Sequence, residues 1–122
     1  MNYTYTIVPK NKTITLITKG ELEPSEVAEL ELKIRLIAND LKYKIIFDFR
    51  LSKIKISVSE AVLWMSAHFD NVETKFKQMK SAYLVNKEDW EFYTLFESAN
   101  TNNGFPVKAF REEAAISNWL ES

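Results

Sequence analysis

The sequence predicts an α/β protein built on one mixed sheet of about five strands, in the order β-β-α-β-α-β-α-β-α. Three observations carry that reading. The first residues alternate with period two, the run Tyr43 to Phe49 is apolar and β-rich in the manner of a strand covered on both faces, and stripes at helical spacing separate the later strand-like runs. Helices between successive strands imply right-handed parallel crossovers, while an N-terminal hairpin supplies an antiparallel edge.

Tyr3, Tyr5 and Ile7 alternate with Thr4, Thr6 and Val8, and Ile14 and Leu16 alternate with Thr13 and Thr15, so two strands are expected. Pro9-Lys10-Asn11-Lys12 supplies the turn between them, and Lys19-Gly20 is expected to close the second. Pro24 and Ser25 mark a helix start, after which Val27, Leu30, Ile34, Ile37 and Leu41 recur at steps of three and four. That stripe suits packing on a sheet, with Glu29–Lys33 and Glu31–Arg35 expected as ion pairs on the wet side.

Tyr43 to Phe49 is expected as the central strand, and Arg50 to Ile56 as a short polar loop. Ser57 and Glu60, spaced as a capping box, then open a long helix carrying Val58, Val62, Met65, Phe69, Val72, Phe76 and Met79, ending near Lys80. Ser81 to Val85 reads as another buried strand, Asn86 and Asp89 as the capped start of a third helix, and Asn100 to Gly104 as its stop. Val107 to Phe110 gives the last strand and Glu112 to Leu120 a closing helix.

No break in composition divides the chain, so one domain over residues 1–122 is expected. Sixteen basic and seventeen acidic residues leave a formal charge of -1 and no whole-molecule field for phosphates, so nucleic acid is not an expected partner. The chain has no cysteine, which excludes disulfides, thiol nucleophiles and thiolate metal sites and suits a reducing compartment. Met1 to Lys10 lacks the charged start and apolar core of a signal peptide, and no run approaches the roughly 20 apolar residues of a spanning segment. A cytoplasmic location is therefore expected.

Candidate chemistry is sparse. His68 is the only histidine, and Asp70 and Glu73 do not share a face with it in a standard metal spacing, so no metal is expected. Two glycines cannot build a phosphate cradle, and no nucleotide or nucleophile-elbow motif occurs, so no cofactor is expected either. Asp48 is the carboxylate best placed for chemistry, at the end of the central strand, but no partner acid or nucleophile can be named for it, and bonding to the loop backbone is its expected role. Arg50, Lys53 and Lys55 make a small basic patch beside it. Trp90, Phe92, Tyr93, Leu95 and Phe96 crowd more than one helical face, which leaves three readings: core packing at the sheet edge, a homodimer or partner surface, or the lid of an apolar pocket.

The element order and three local phrases resemble the STAS domain, the fold shared by anti-sigma-factor antagonists and the cytoplasmic tails of sulfate transporters. The phrases are the strand ending Ile-Ile-Phe-Asp-Phe, the Ser57-Val58-Ser59 stretch leading into a long helix, and Val107 to Phe110 running through Arg111-Glu112-Glu113-Ala114 to Trp119-Leu120, which is similar to the close of small bacterial STAS-like proteins. In that family a serine in an Asp-Ser-Ser-Gly-like loop is phosphorylated and switches partner binding, so the resemblance implies Ser57 or Ser59 here. The stretch departs from the pattern: the preceding aspartate and following glycine are missing, and Glu60 would repel a phosphate at Ser59. By this resemblance the chain is a non-enzymatic regulatory module that binds a protein partner or a second copy. Arg50, Lys53, Lys55, Trp64, Trp90, Phe92 and Tyr93 are the expected contact residues. The alternative expectation is apolar-ligand binding, because STAS domains resemble CRAL-TRIO lipid-transfer domains in their sheet. A hydrolase with Asp48 as base would need a deep polar pocket there holding a second titratable group.

Overall fold

The computed structural model describes residues 2–69 and 74–122, with side chains left out at 58, 62, 66–69, 74 and 75. Strands β1 (Asn2–Val8), β2 (Thr13–Leu22), β3 (Lys44–Ile54), β4 (Ser81–Leu84) and β5 (Val107–Phe110) form one sheet in the order β1-β2-β3-β4-β5. The β1–β2 pair is antiparallel and all other pairs are parallel. Between them run α1 (Pro24–Leu41), α2 (Val58–Phe69) and α3 (Trp90–Asn102), and α4 (Ile116–Glu121) closes the described chain.

Because β2, β3, β4 and β5 follow one another across the sheet in one direction, right-handed crossovers place α1, α2 and α3 on the same face. The main core lies there: Ile14, Leu16, Ile45, Phe47 and Phe49 of the sheet meet Val27, Leu30 and Ile34 of α1, Ala61 and Met65 of α2, and Phe92, Tyr93 and Phe96 of α3. The opposite face is covered by α4, whose Ile116 and Leu120 pack on Ala82 and Leu84. Cations fix that short helix at its C-terminal end, where carbonyls gather. Lys44 Nζ donates to Leu120 O, Lys80 Nζ donates to Ser122 O at 2.5 Å, and Trp119 Nε1 donates to Ser81 O at 3.1 Å.

The predicted architecture holds, with the buried central strand where it was expected, and several boundaries move. Arg50 to Ile54 is strand, not loop: β3 continues and pairs with β2 through Ile54, so β2 likewise runs past Lys19 and Gly20 to Leu22. The alternation Lys53-Ile54-Lys55-Ile56 is the sequence sign of this extension. Gly20, at φ +90, supplies the backbone turn inside β2. The predicted long helix is described as α2 as far as Phe69, and Phe76 and Met79, expected on that helix, reach the core from a 3-10 turn over Thr74–Gln78 and the residue after it. The expectations for the side chains of Val58, Val62, His68, Phe69, Asp70, Val72 and Glu73 lie outside the described residues. The predicted stop at Asn100 is late helix instead, since α3 runs to Asn102 before Gly104 turns the chain at φ +85.

One irregularity governs the middle of the sheet. Ile17 pairs with Asp48 and Lys19 with Leu51, so β3 uses one residue more than β2 over the same rise. This is a β-bulge at Phe49–Arg50. It inverts side-chain parity: Ile45, Phe47 and Phe49 face the helices before it, and Ser52 and Ile54 do so after it. The buried bond between Thr18 Oγ1 and Ser52 Oγ, 2.6 Å, is made on that same face.

Candidate functional site

The bulge puts Asp48 and Arg50 side by side at the point where β4 ends. Arg50 donates from its backbone N–H and Nε to Asp48 Oδ1 at 3.1 and 3.0 Å, from Nη2 to Asp48 Oδ2 at 2.9 Å, and from Nη2 to Glu113 Oε1 at 2.6 Å. The expected role of Asp48 in bonding the backbone that follows it is therefore seen. These carboxylates hold the guanidinium firmly protonated, Asp48 contributing most. A cavity of about 190 Å³ opens beside them, lined by Asp48, Glu113, Thr15 and Ser117 over an apolar floor of Ile46, Leu84 and Ile116. So the strand end does have a pocket with a second carboxylate, but both Asp48 oxygens already accept hydrogen bonds from Arg50.

Ser57 is exposed at the start of α2, and its Oγ accepts the Glu60 N–H at 3.3 Å, as an N-cap does. The same hydroxyl donates to Glu60 Oε1 at 2.7 Å and lies 3.3 Å from Ser59 Oγ. A phosphate on either serine would meet that carboxylate at close range. Lys55 is exposed and paired with Glu21 at 3.2 Å and Glu23 at 3.8 Å, which raise its ammonium pKa, Glu21 foremost. Lys53 is exposed. Among the described residues the two most exposed large apolar side chains, Leu51 at 61 % and Leu63 at 76 %, belong to β3 and α2, the elements joined at this corner.

The remaining expected contact residues divide. Trp64 and Trp90 are half-buried: Trp64 packs on Phe92 and Phe96 at 6.2 and 5.3 Å between centroids, and Arg111 lies 5.0 Å over the Trp90 ring. Phe92 and Tyr93 are buried and cannot meet a partner directly. They stand with Phe49, Tyr83 and Phe96 in a continuous aromatic stack, with Phe49–Tyr93 at 5.2 Å and Tyr83–Phe96 at 5.5 Å. Of the three readings of the aromatic cluster, core packing therefore accounts for these two. Rings on successive turns of α3 cover more than one helical face because sheet and α2 both press on them.

Sequence reasoning missed a buried polar cluster. Glu31 and Arg35, expected in water, are 3 % and 4 % exposed. Glu31 Oε1 accepts from the Tyr83 hydroxyl and lies 3.5 Å from Arg35 Nη2, while Arg35 rests 5.6 Å from the Phe47 centroid. Asn100 Nδ2 reaches the Tyr83 oxygen at 3.5 Å. Burial, then the Glu31 charge, pushes the Tyr83 hydroxyl well above its ordinary pKa and keeps it a donor. The available signal was helical phase. Glu31, Arg35 and Ala38 fall on the same face as Val27, Leu30 and Ile34, whereas Leu32 and Leu36 fall outside it and are exposed.

Past the bulge β3 has no strand neighbour on the β4 side, and side chains take that place. Asn86 Nδ2 donates to Ser52 O at 2.6 Å and Asp89 Oδ2 accepts the Ile54 N–H at 3.0 Å. Asn86 Oδ1 in turn accepts the Asp89 N–H at 2.9 Å. Burial raises the Asp89 carboxyl pKa, against the lowering effect of the Ile54 and Asn86 bonds.

No family model and no curated relative matches the chain. Among solved structures it is similar to an uncharacterized protein of the DUF3478 family with a SpoIIAA-like fold from Shewanella loihica PV-4. The two share 17% identity over 97% of this chain and 93% of that one, with a TM-score of 0.55. The chain thus has the SpoIIAA-like, that is STAS-like, fold. No helix among the described residues is long and apolar enough to cross a membrane.

Proposed function

We propose that this chain is a cytoplasmic, non-catalytic regulatory module that binds another protein at the corner where β3 gives way to α2. The observation that carries this reading is the pair of large apolar side chains held in water on those two elements, Leu51 and Leu63. Leu51 has Lys53 two residues on along the same side of β3, across the strand from the helices, and Leu63 stands on α2 itself; exposed apolar residues near charge suit a protein partner. The clamp of Arg50 on Asp48 supports a structural use of that carboxylate over general-base chemistry. Ser57 and Ser59 stand exposed where a helix N-terminus would stabilise an added phosphate, while Glu60 opposes it. An apolar-ligand function is not favoured, because Phe92, Tyr93 and Phe96 fill the space between α3 and the sheet.

The test is affinity capture from the native host with the tagged chain, comparing wild type with Leu63→Glu and Lys53→Glu, and with Leu36→Glu on the outer face of α1 as control. A partner identified by mass spectrometry that is lost with both corner variants and kept with the control is the expected result. Equal capture by all four proteins would refute the corner as the contact.

A further inference from the structure

Besides the last three residues of β2, which run past the end of β1, the sheet has three exposed stretches of strand edge among the described residues, and two of them are met by side chains. Asn86 and Asp89 occupy the late half of β3, as described above, and Glu97 Oε1 accepts the Ala109 N–H on the outer side of β5 at 2.6 Å. The third edge is β1. Among the described residues no side-chain hydrogen bond reaches its backbone, and its pairing with β2 is continuous from Asn2 to Val8 without a bulge. Nor does the strand, Asn-Tyr-Thr-Tyr-Thr-Ile-Val, contain a charged residue or a proline. Charge, proline and bulge, the usual devices that keep a sheet edge from pairing, are thus absent from β1 itself, and the Lys33 ammonium that donates to Tyr3 Oη at 2.6 Å engages a side chain and not the strand's backbone.

We propose that β1 pairs antiparallel with β1 of a second copy of this chain, joining the two sheets across a two-fold axis at Tyr5. The strand is self-complementary in that register. Tyr5 meets Tyr5 of the second copy, Tyr3 meets Ile7, and Thr4 meets Thr6, so aromatic and apolar side chains lie opposite one another on the helix face and threonines on the other. Tyr5 and Ile7, 40 % and 41 % exposed in the single chain, would gain cover from the equivalent residues. A two-fold edge contact needs one patch that fits itself, and an uncharged strand raises no repulsion between copies. This edge is separate from the β3–α2 corner, so either contact stands or falls alone.

The experiment is sedimentation velocity over a concentration series, with circular dichroism to verify folding. Wild type is expected to reach twice the 14.2 kDa chain mass. In Thr4→Lys/Thr6→Lys, lysines face lysines at two symmetric places, and dimer dissociation should rise roughly tenfold or more. Thr4→Lys/Thr6→Glu places opposite charges together in the proposed register and should restore the dimer. A second measurement does not depend on those variants folding. The chain has no cysteine, so Tyr5→Cys alone introduces a thiol, and residues crossing the axis stand about 4.5 to 5.5 Å apart, within disulfide range. Mild oxidation should crosslink Tyr5→Cys and not Ile7→Cys, which faces Tyr3. A wild-type monomer at high concentration, a dimer indifferent to the lysine pair, or equal crosslinking at both positions overturns the proposal.

Discussion

Replacing Arg35 with methionine tests whether the buried pair under α1 is held by mutual charge. The side chain is almost wholly enclosed and lies against Phe47, and methionine keeps most of the stem's volume while deleting the guanidinium. The Glu31 carboxyl would then be left in the core without its cation, with the Tyr83 hydroxyl as its donor. Breaking one side of a buried ion pair costs about 3–5 kcal/mol. For a chain of this size about 1 kcal/mol moves Tm by roughly 4 °C, so Arg35→Met should lower it by about 12–20 °C. Glu31→Leu combined with Arg35→Met removes both charges and leaves the Tyr83 oxygen near Asn100, and should fall within about 2 kcal/mol of wild type. Urea unfolding followed by circular dichroism measures both. A loss below about 1 kcal/mol in Arg35→Met, or a double-variant loss as large as that of Arg35→Met alone or larger, would refute the reasoning.

Three further outcomes follow from the corner. Ser57→Ala should cost about 1 kcal/mol by removing the cap of α2, read as a lower urea midpoint at unchanged m-value. Asp48→Ala should cost about 2–3 kcal/mol, since it strips Arg50 of a backbone and a bidentate bond, whereas Glu113→Ala, exposed, should cost less than about 1 kcal/mol. Asp89 has a raised pKa when folded, so its contribution is present below its unfolded value near 3.8 and is lost as pH rises through the higher folded value. The stability of Asp89→Asn relative to wild type should therefore climb with pH across that window and level off above it. A flat difference, or one that falls, contradicts the assigned burial.

The sheet was legible because its strands obey two simple patterns. Tyr3 to Thr15 alternates, and Ile45 to Phe47 is apolar without interruption, as an edge hairpin and a central parallel strand require. Hidden from that reading was anything that depends on phase across a large distance. The bulge at Phe49–Arg50 is set by what β2 does, not by a local signal, and it disguised five residues of strand as loop. Glu31 and Arg35 were misplaced because charge was taken as a guide to solvent, when Tyr83, fifty-two residues away, supplies the partner that makes burial tolerable. At the site, Asp48 and Arg50 were visible as neighbours in sequence, but Glu113 joins them only through the fold.

The extra residue in β3 works as a phase shifter. Upstream of it odd numbers are dry and downstream even numbers are, so a deletion of Arg50 would do more than remove one guanidinium. It would turn Lys53 inward toward α2 and α3 and deliver Ile54 to water, while Asn86 and Asp89 would be left facing the wrong amides. The length of this strand is thereby constrained to the single residue, even where its side chains are free to vary.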